Sequence, residues 1–305
     1  MKNLIRTLLI AAVINTGCTS QKPVGSLTTG GKFDFEAHRG GRGLMPENTI
    51  IAMKNSVDLD VTTLELDVVI SRDNKVVVSH DAHFNDIITT TPDGKHLTKQ
   101  EAEELLLYRM DYDSIRKYDV GIKPHPGFPQ QQKIAAYKPL LSELIDSVEA
   151  YAKSNGKSMS YNIEIKSRAG FDGTRHPAPP EFSELLIAVL NSKKIIDRTI
   201  VQSFDVRPLQ YIHQSHPSIK LSYLVENTTV PFSEQMSKLG FTPTAYSPNY
   251  PMLTKEVVDE CHRKNMQVIP WTVNTVNEMN SLVDMGVDGI ISDYPNLFKQ
   301  LQVNK

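Results

Sequence analysis

TLELDVVISRDNKVVVSHD, residues Thr63–Asp81, holds two apolar arms around Asp73-Asn74-Lys75. Val, Ile, Leu and Thr dominate both arms, which predicts a β-strand, a tight turn and a returning strand. The link is too short for a parallel crossover, so the second arm runs antiparallel. Side chains two apart on a strand share a face, so Glu65 and Asp67 point the same way. Two carboxylates on one face repel, and a cation between them removes the conflict. The returning arm carries His80 and Asp81 back towards them. An exposed strand face that is merely acidic fits this stretch equally well, so the surrounding chain has to decide.

Downstream the pattern is regular. From Pro139 a helix (about 141–154) leads to strand Met159–Lys166, then helix 180–192, strand Thr199–Phe204 and a helix after Asp205. Strand Lys220–Val225, helix 231–239, strand Thr244–Ser247 and helix 254–264 follow. Strand Gln267–Val273, helix 275–284, strand Gly289–Ser292 and a last helix close the chain. Upstream, Phe33–His38 reads as a short strand ending in His38-Arg39-Gly40-Gly41. A helix then carries Ile50, Met53 and Val57 at helical spacing, with Asn48 as its expected N-cap. Without the returning hairpin arm, eight strands alternate with helices, which predicts an α/β fold of the (β/α)8 TIM-barrel type. No Gly-rich dinucleotide loop follows the first strand, against an open doubly wound sheet.

Residues 82–138 break the rhythm as an insertion after the second-strand hairpin. They hold one capping-box helix at Thr98-Lys-Gln-Glu101 and otherwise polar, Pro-punctuated chain, expected to lie over one end of the barrel. Residues 1–18 pair Lys2 and Arg6 with the apolar run Leu8–Ile14, too short to span a bilayer as a mature helix. Gly17-Cys18 resembles the lipobox of bacterial lipoproteins, although Asn15 departs from it. The reading is an exported, periplasmic or outer-membrane-anchored protein with a tether at 19–32 and a catalytic domain at 33–305. Cys261 then lacks a disulfide partner and reads as a core thiol. Over 305 residues the formal net charge is −2 with no basic stripe, which argues against nucleic acid as a partner.

Barrel enzymes build their sites at the carboxyl ends of the strands. The polar residues collect there: His38 and Arg39, Glu65 and Asp67, Glu164 and Lys166, Gln202, Trp271 and Asp293.

With these residues in view, the chain resembles the glycerophosphodiester phosphodiesterase family. AHRG at 37–40, PENT at 46–49, ELDV at 65–68, HD at 80–81 and NIEIK at 162–166 carry the likeness, with QSF at 202–204, WTVN at 271–274 and GVDGIISDYP at 286–295. The resemblance implies a divalent cation, Ca²⁺ or Mg²⁺, held by Glu65, Asp67 and Glu164. It implies acid/base work by His38 and His80 and phosphate contact by Arg39, and Lys166 and Trp271 are further substrate-contact candidates. The expected reaction is metal-dependent hydrolysis of a small-molecule glycerophosphodiester to sn-glycerol 3-phosphate and an alcohol. A superfamily phospholipase acting on intact lipid and a non-catalytic binding lipoprotein are the alternatives. Asp81 is expected to orient His80, and Glu36 to sit one step below His38. The other histidines are expected at the surface, with His125 and His176 in Pro-rich loops able to reach the mouth.

Overall fold

The computed structural model describes residues 33–226 and 229–303, so the export, lipidation and tether readings at 1–32 lie outside the described residues. Strands β1 (Asp34–Ala37) and β2 (Thr63–Ile70) flank helix α1 (Ile50–Asp58), and β3 (Val76–Val78) returns antiparallel on β2. After α2 (Lys99–Glu104) and α3 (Tyr112–Ile115), the chain alternates α4 (Leu141–Ser154), β4 (Ser160–Ile165), α5 (Pro179–Lys193), β5 (Thr199–Ser203), α6 (Val206–Ser215) and β6 (Lys220–Val225). It ends with α7 (Phe232–Leu239), β7 (Ala245–Pro248), α8 (Lys255–Arg263), β8 (Gln267–Val268), α9 (Val276–Met285) and β9 (Gly289–Ser292). The parallel order β8-β7-β6-β5-β4-β2-β1-β9 is that of a (β/α)8 barrel.

Three boundaries differ from the sequence expectation. The strand expected over 267–273 is two residues long, because Pro270 has no N–H to continue a ladder. The barrel nevertheless closes: Asp288 N–H donates to Val268 O (2.9 Å), Ile291 N–H to Pro270 O (3.0 Å) and Val273 N–H to Ile291 O (3.0 Å). The last helix is a short 3₁₀ segment, Pro295–Gln300. The N-cap of α1 is Thr49, not Asn48: Thr49 is extended and accepts from Ala52 N–H, whereas Asn48 sits at φ 57°. A cap needs extended backbone, and Asn tolerates the left-handed region, which frees Asn48 for another task.

Packing follows the two-residue period of the strands. One face of β2 and β4, with Leu64, Leu66, Ile163 and Ile165, meets Leu144 and Ile145 of α4 and Leu186 and Leu190 of α5 in the main core. The other face looks into the barrel. There the register sets Glu36 beside Thr63, Glu65 beside Asn162 and Glu164 beside Gln202. The opposite wall of the interior is apolar, built from Ala245, Ile269 and Ile291 with Ile200 and Trp271 against them. Thus the barrel interior is half hydrocarbon and half polar.

Along the carboxylate face of β2, two residues past Asp67, Val69 joins Val77, Phe84, Leu107, Tyr112 and Ile115 in a second small core. This core seats residues 82–138 on the hairpin. Thr98 and Glu101 form the capping box of α2. Cys261 is a buried free thiol on α8.

Candidate active site

The turn after β1 is sharp. Arg39 (φ 49°), Gly40 (φ 77°) and Gly41 (φ 82°) all lie in the left-handed region. A Cβ at Gly40 would stand 2.9 Å from Ala52 Cβ, so backbone and close approach both demand glycine there. The turn aims Arg39 N–H at Glu65 Oε2 (2.7 Å). Asn48 closes the loop from the other side, with Nδ2 donating to Asp67 Oδ2 (2.8 Å) and Oδ1 accepting from Asp67 N–H (3.2 Å). Strain in this loop therefore goes into holding two carboxylates.

Oxygens of Glu65, Asp67 and Glu164, all buried, lie within 4.8 Å of one another. Gln202 Nε2 donates to Glu65 Oε1 (2.9 Å), and Lys166 Nζ stands 2.8 Å from Glu164 Oε1 and 3.7 Å from Asp67 Oδ1. Burial, then the charge of Asp67, pushes the Glu65 carboxyl well above the usual range. Burial also lifts Glu164 to about 7, against the pull of Lys166. Burial works the same way on Asp67, but Lys166, His80 and Arg39 outweigh it and hold its carboxyl down. Three buried oxygen donors, two of them with raised carboxyl pKa, are the right donor set for a hard divalent cation, whose charge would favour their ionised forms.

Arg39 is buried, its Nη1 donating to Glu47 Oε1 (3.0 Å) and its Nε 3.4 Å from Asp67 Oδ2. Each histidine is backed by a carboxylate. His38 Nδ1 meets Asp293 Oδ1 at 2.6 Å, and His80 Nδ1 meets Asp81 Oδ1 at 2.9 Å. Burial pushes His38 down to about 4 despite Asp293, so its neutral imidazole donates Nδ1–H and keeps a lone pair on Nε2. Burial lowers His80 as well. Asp293 is held well down by His38 and Arg42 in spite of its burial, with Arg42 Nε 2.7 Å from Oδ1 and Asn274 Nδ2 2.8 Å from Oδ2.

His38, Arg39, Glu65, His80, Glu164, Lys166 and Trp271 all face one cavity of about 900 Å³. Trp271 donates Nε1–H to Ser247 O (2.9 Å) and meets Phe204 edge-on with centroids 5.4 Å apart. Glu36 lies below, fully buried, accepting from Asn162 Nδ2 (2.7 Å). His176 is buried rather than at the surface, because its ring nitrogens bond the backbone of Arg168 and Pro177, and it lines the cavity with His83. His125 instead packs on Phe128. Sequence reasoning did not single out Glu47 or Arg42. Glu47 was nonetheless visible inside PENT, and Arg42 two residues beyond Gly40.

Residues 38–297 match the glycerophosphoryl diester phosphodiesterase family. The chain is 29% identical over 261 residues to a glycerophosphodiester phosphodiesterase from Caldanaerobacter subterraneus, covering 85% of this chain and 93% of the other. It is 26% identical over 289 residues to one from Bacillus subtilis, covering 91% and 89%. The solved structure of a Silicibacter pomeroyi protein, named a glycerophosphoryl diester phosphodiesterase, superposes with a TM-score of 0.78 at 28% identity, covering 88% of this chain and 94% of that one. The chain belongs to the glycerophosphoryl diester phosphodiesterase family of enzymes.

Proposed function

We propose that the protein hydrolyses glycerophosphodiesters to sn-glycerol 3-phosphate and an alcohol. The observation that carries this reading is one cavity lined by Glu65 and Glu164 of a buried carboxylate trio and by two histidines, each with a carboxylate at its back. Family membership supports the substrate class.

Glu65, Asp67 and Glu164 would hold a divalent cation, Ca²⁺ or Mg²⁺, which would supply positive charge for the phosphoryl oxygens. The residues do the rest. Asp293 and Asp81 hold His38 and His80 with Nδ1 turned away from substrate, leaving each Nε2 for proton transfer. One histidine, neutral at the start, takes the proton of the nucleophile, water or the glycerol 2-hydroxyl. The other, entering the cycle as imidazolium with Nε2 protonated, gives that proton to the departing alcohol. Arg39 and Lys166, already set between carboxylates, offer N–H donors to the phosphate. Trp271 and Phe204 form a wall against the apolar part of the substrate.

The test is glycerol 3-phosphate release by residues 21–305 from a panel of glycerophosphodiesters, with EDTA and then with Ca²⁺ or Mg²⁺ restored. Release that EDTA abolishes and one ion restores is expected. No release from any diester with either ion overturns the reading. Export with lipid attachment at Cys18 belongs to the same proposal, and a Cys18→Ser protein that stays with the membrane fraction would contradict it.

A further inference from the structure

The cavity is larger than the catalytic groups need, and the β4–α5 loop, residues 166–178, forms part of its wall. This loop is closed on itself. The His176 ring meets the Arg168 backbone, Gly173 N–H donates to His176 O (2.7 Å), and Nδ1 of His176 meets Pro177 O (2.9 Å). The closure brings the chain at Arg175 back beside Arg168. Arg207 of α6 clasps the loop, with Nη1 and Nη2 at 2.8 and 3.1 Å from the Asp172 carboxylate.

Arg168 and Arg175 both line the cavity, and neither guanidinium has a carboxylate partner among the described residues. Most other cations there are matched, Lys166 by Glu164, Arg39 by Glu47, Arg42 by Asp293 and Arg207 by Asp172 and Asp205, while Lys238 lines the cavity away from the loop. Arg175 lies 4.6 Å over the Phe171 ring, so that aromatic face is already occupied by a cation. A quaternary or primary ammonium entering here meets like charge. Glu226 is the acid on the far side, after β6 and two strands away from β4.

We propose that the β4–α5 loop is a second anion subsite, in which Arg168 and Arg175 bind a carboxylate or second phosphate on the alcohol part of a glycerophosphodiester. The proposal rests on the hydrolase reading above and names its preferred substrates. A planar guanidinium pairs with either anion through two parallel N–H donors, so the loop recognises the charge they share.

Two matched pairs isolate that charge. Glycerophosphoserine differs from glycerophosphoethanolamine by one carboxylate, and glycerophosphoglycerol phosphate differs from glycerophosphoglycerol by one phosphate. We expect kcat/KM to favour the anionic member of at least one pair by about tenfold, the worth of one charge-assisted hydrogen bond. The pair showing the larger ratio identifies the anion. In an Arg168→Ala/Arg175→Ala protein the ratio falls towards one, and in the Arg→Lys double variant part of it returns. Ratios near one in the native protein, or ratios unmoved by the double alanine variant, overturn the subsite. Calorimetric binding of the same two pairs to a His80→Ala protein with Ca²⁺ measures the preference independently of turnover. If no diester is hydrolysed the function reading fails, yet the binding ratios still decide the subsite.

Discussion

At the scale of single residues, the site depends on how carboxylates are shared. Asp293 serves His38, Arg42 and Asn274 at once, so it positions the imidazole while its own charge is balanced. An Asp293→Asn protein keeps the shape but loses the charge that holds the Nδ1–H tautomer. We expect kcat to fall by about 10²-fold with KM little changed, read from steady-state kinetics. The candidate ligands and histidines were legible in sequence because a strand displays its side chains every second residue and a barrel places strand ends together. Glu47 and Arg42 were not singled out, because their roles arise from contacts between loops that no periodicity encodes. His176 was expected to be able to reach the mouth and does line the cavity; what the sequence did not announce is its burial, which comes from its ring bonding the loop's own backbone.

Among elements, the segment between β3 and α4 does more than cover the barrel. Phe128 lies 5.0 Å from the Arg42 guanidinium, Gln131 Nε2 donates to Arg42 O (2.7 Å), and Gln132 N–H to Leu44 O (2.9 Å). Through Arg42 the segment steadies Asp293 and hence His38. Phe128→Ala should lower kcat several-fold while costing about 1 kcal/mol of stability, the worth of a cation–π contact, measured by kinetics beside urea unfolding. Asp205 links two loops in the same manner, capping α6, pairing with Arg207 and accepting from Ser167 Oγ of the β4–α5 loop (3.1 Å). Arg207 and the cap hold its carboxyl below the ordinary range despite burial. A depressed carboxyl stabilises the fold above its unfolded pKa of about 3.9, and that stabilisation drains away as pH falls through the folded value. The Tm gap between native and Asp205→Asn proteins should therefore be widest near neutrality and close below about pH 4. Element boundaries were legible where caps and glycines mark them. They shifted where a proline interrupts a strand, at Pro270, or where two adjacent residues compete for one cap, at Asn48 and Thr49.

For the molecule as a whole, the cation site links chemistry to stability. With Glu65 and Glu164 pushed towards protonation by burial and by the charge of Asp67, the metal-free protein carries an electrostatic cost that an ion would relieve. Ca²⁺ or Mg²⁺ at about 100 times its Kd should stabilise the native state by about 2.7 kcal/mol, seen as a rise in Tm that EDTA reverses. Glu65→Gln should remove most of that rise while leaving the metal-free Tm equal or higher, and a Tm indifferent to both ions would contradict the site. The barrel itself was legible from eight alternating strands and helices, and its closure beside the two-residue β8 came from backbone bonds that no pattern in the sequence announces. Because the barrel's inside is half polar, the cohesion of the molecule lies outside the strands, where Leu64, Leu66, Ile163 and Ile165 meet the helices. The side chains that define the reaction contribute little to that outer layer. Strand-end residues can therefore be exchanged over evolutionary time without loss of the scaffold, which makes new substrate ranges accessible to this chain by drift at the rim.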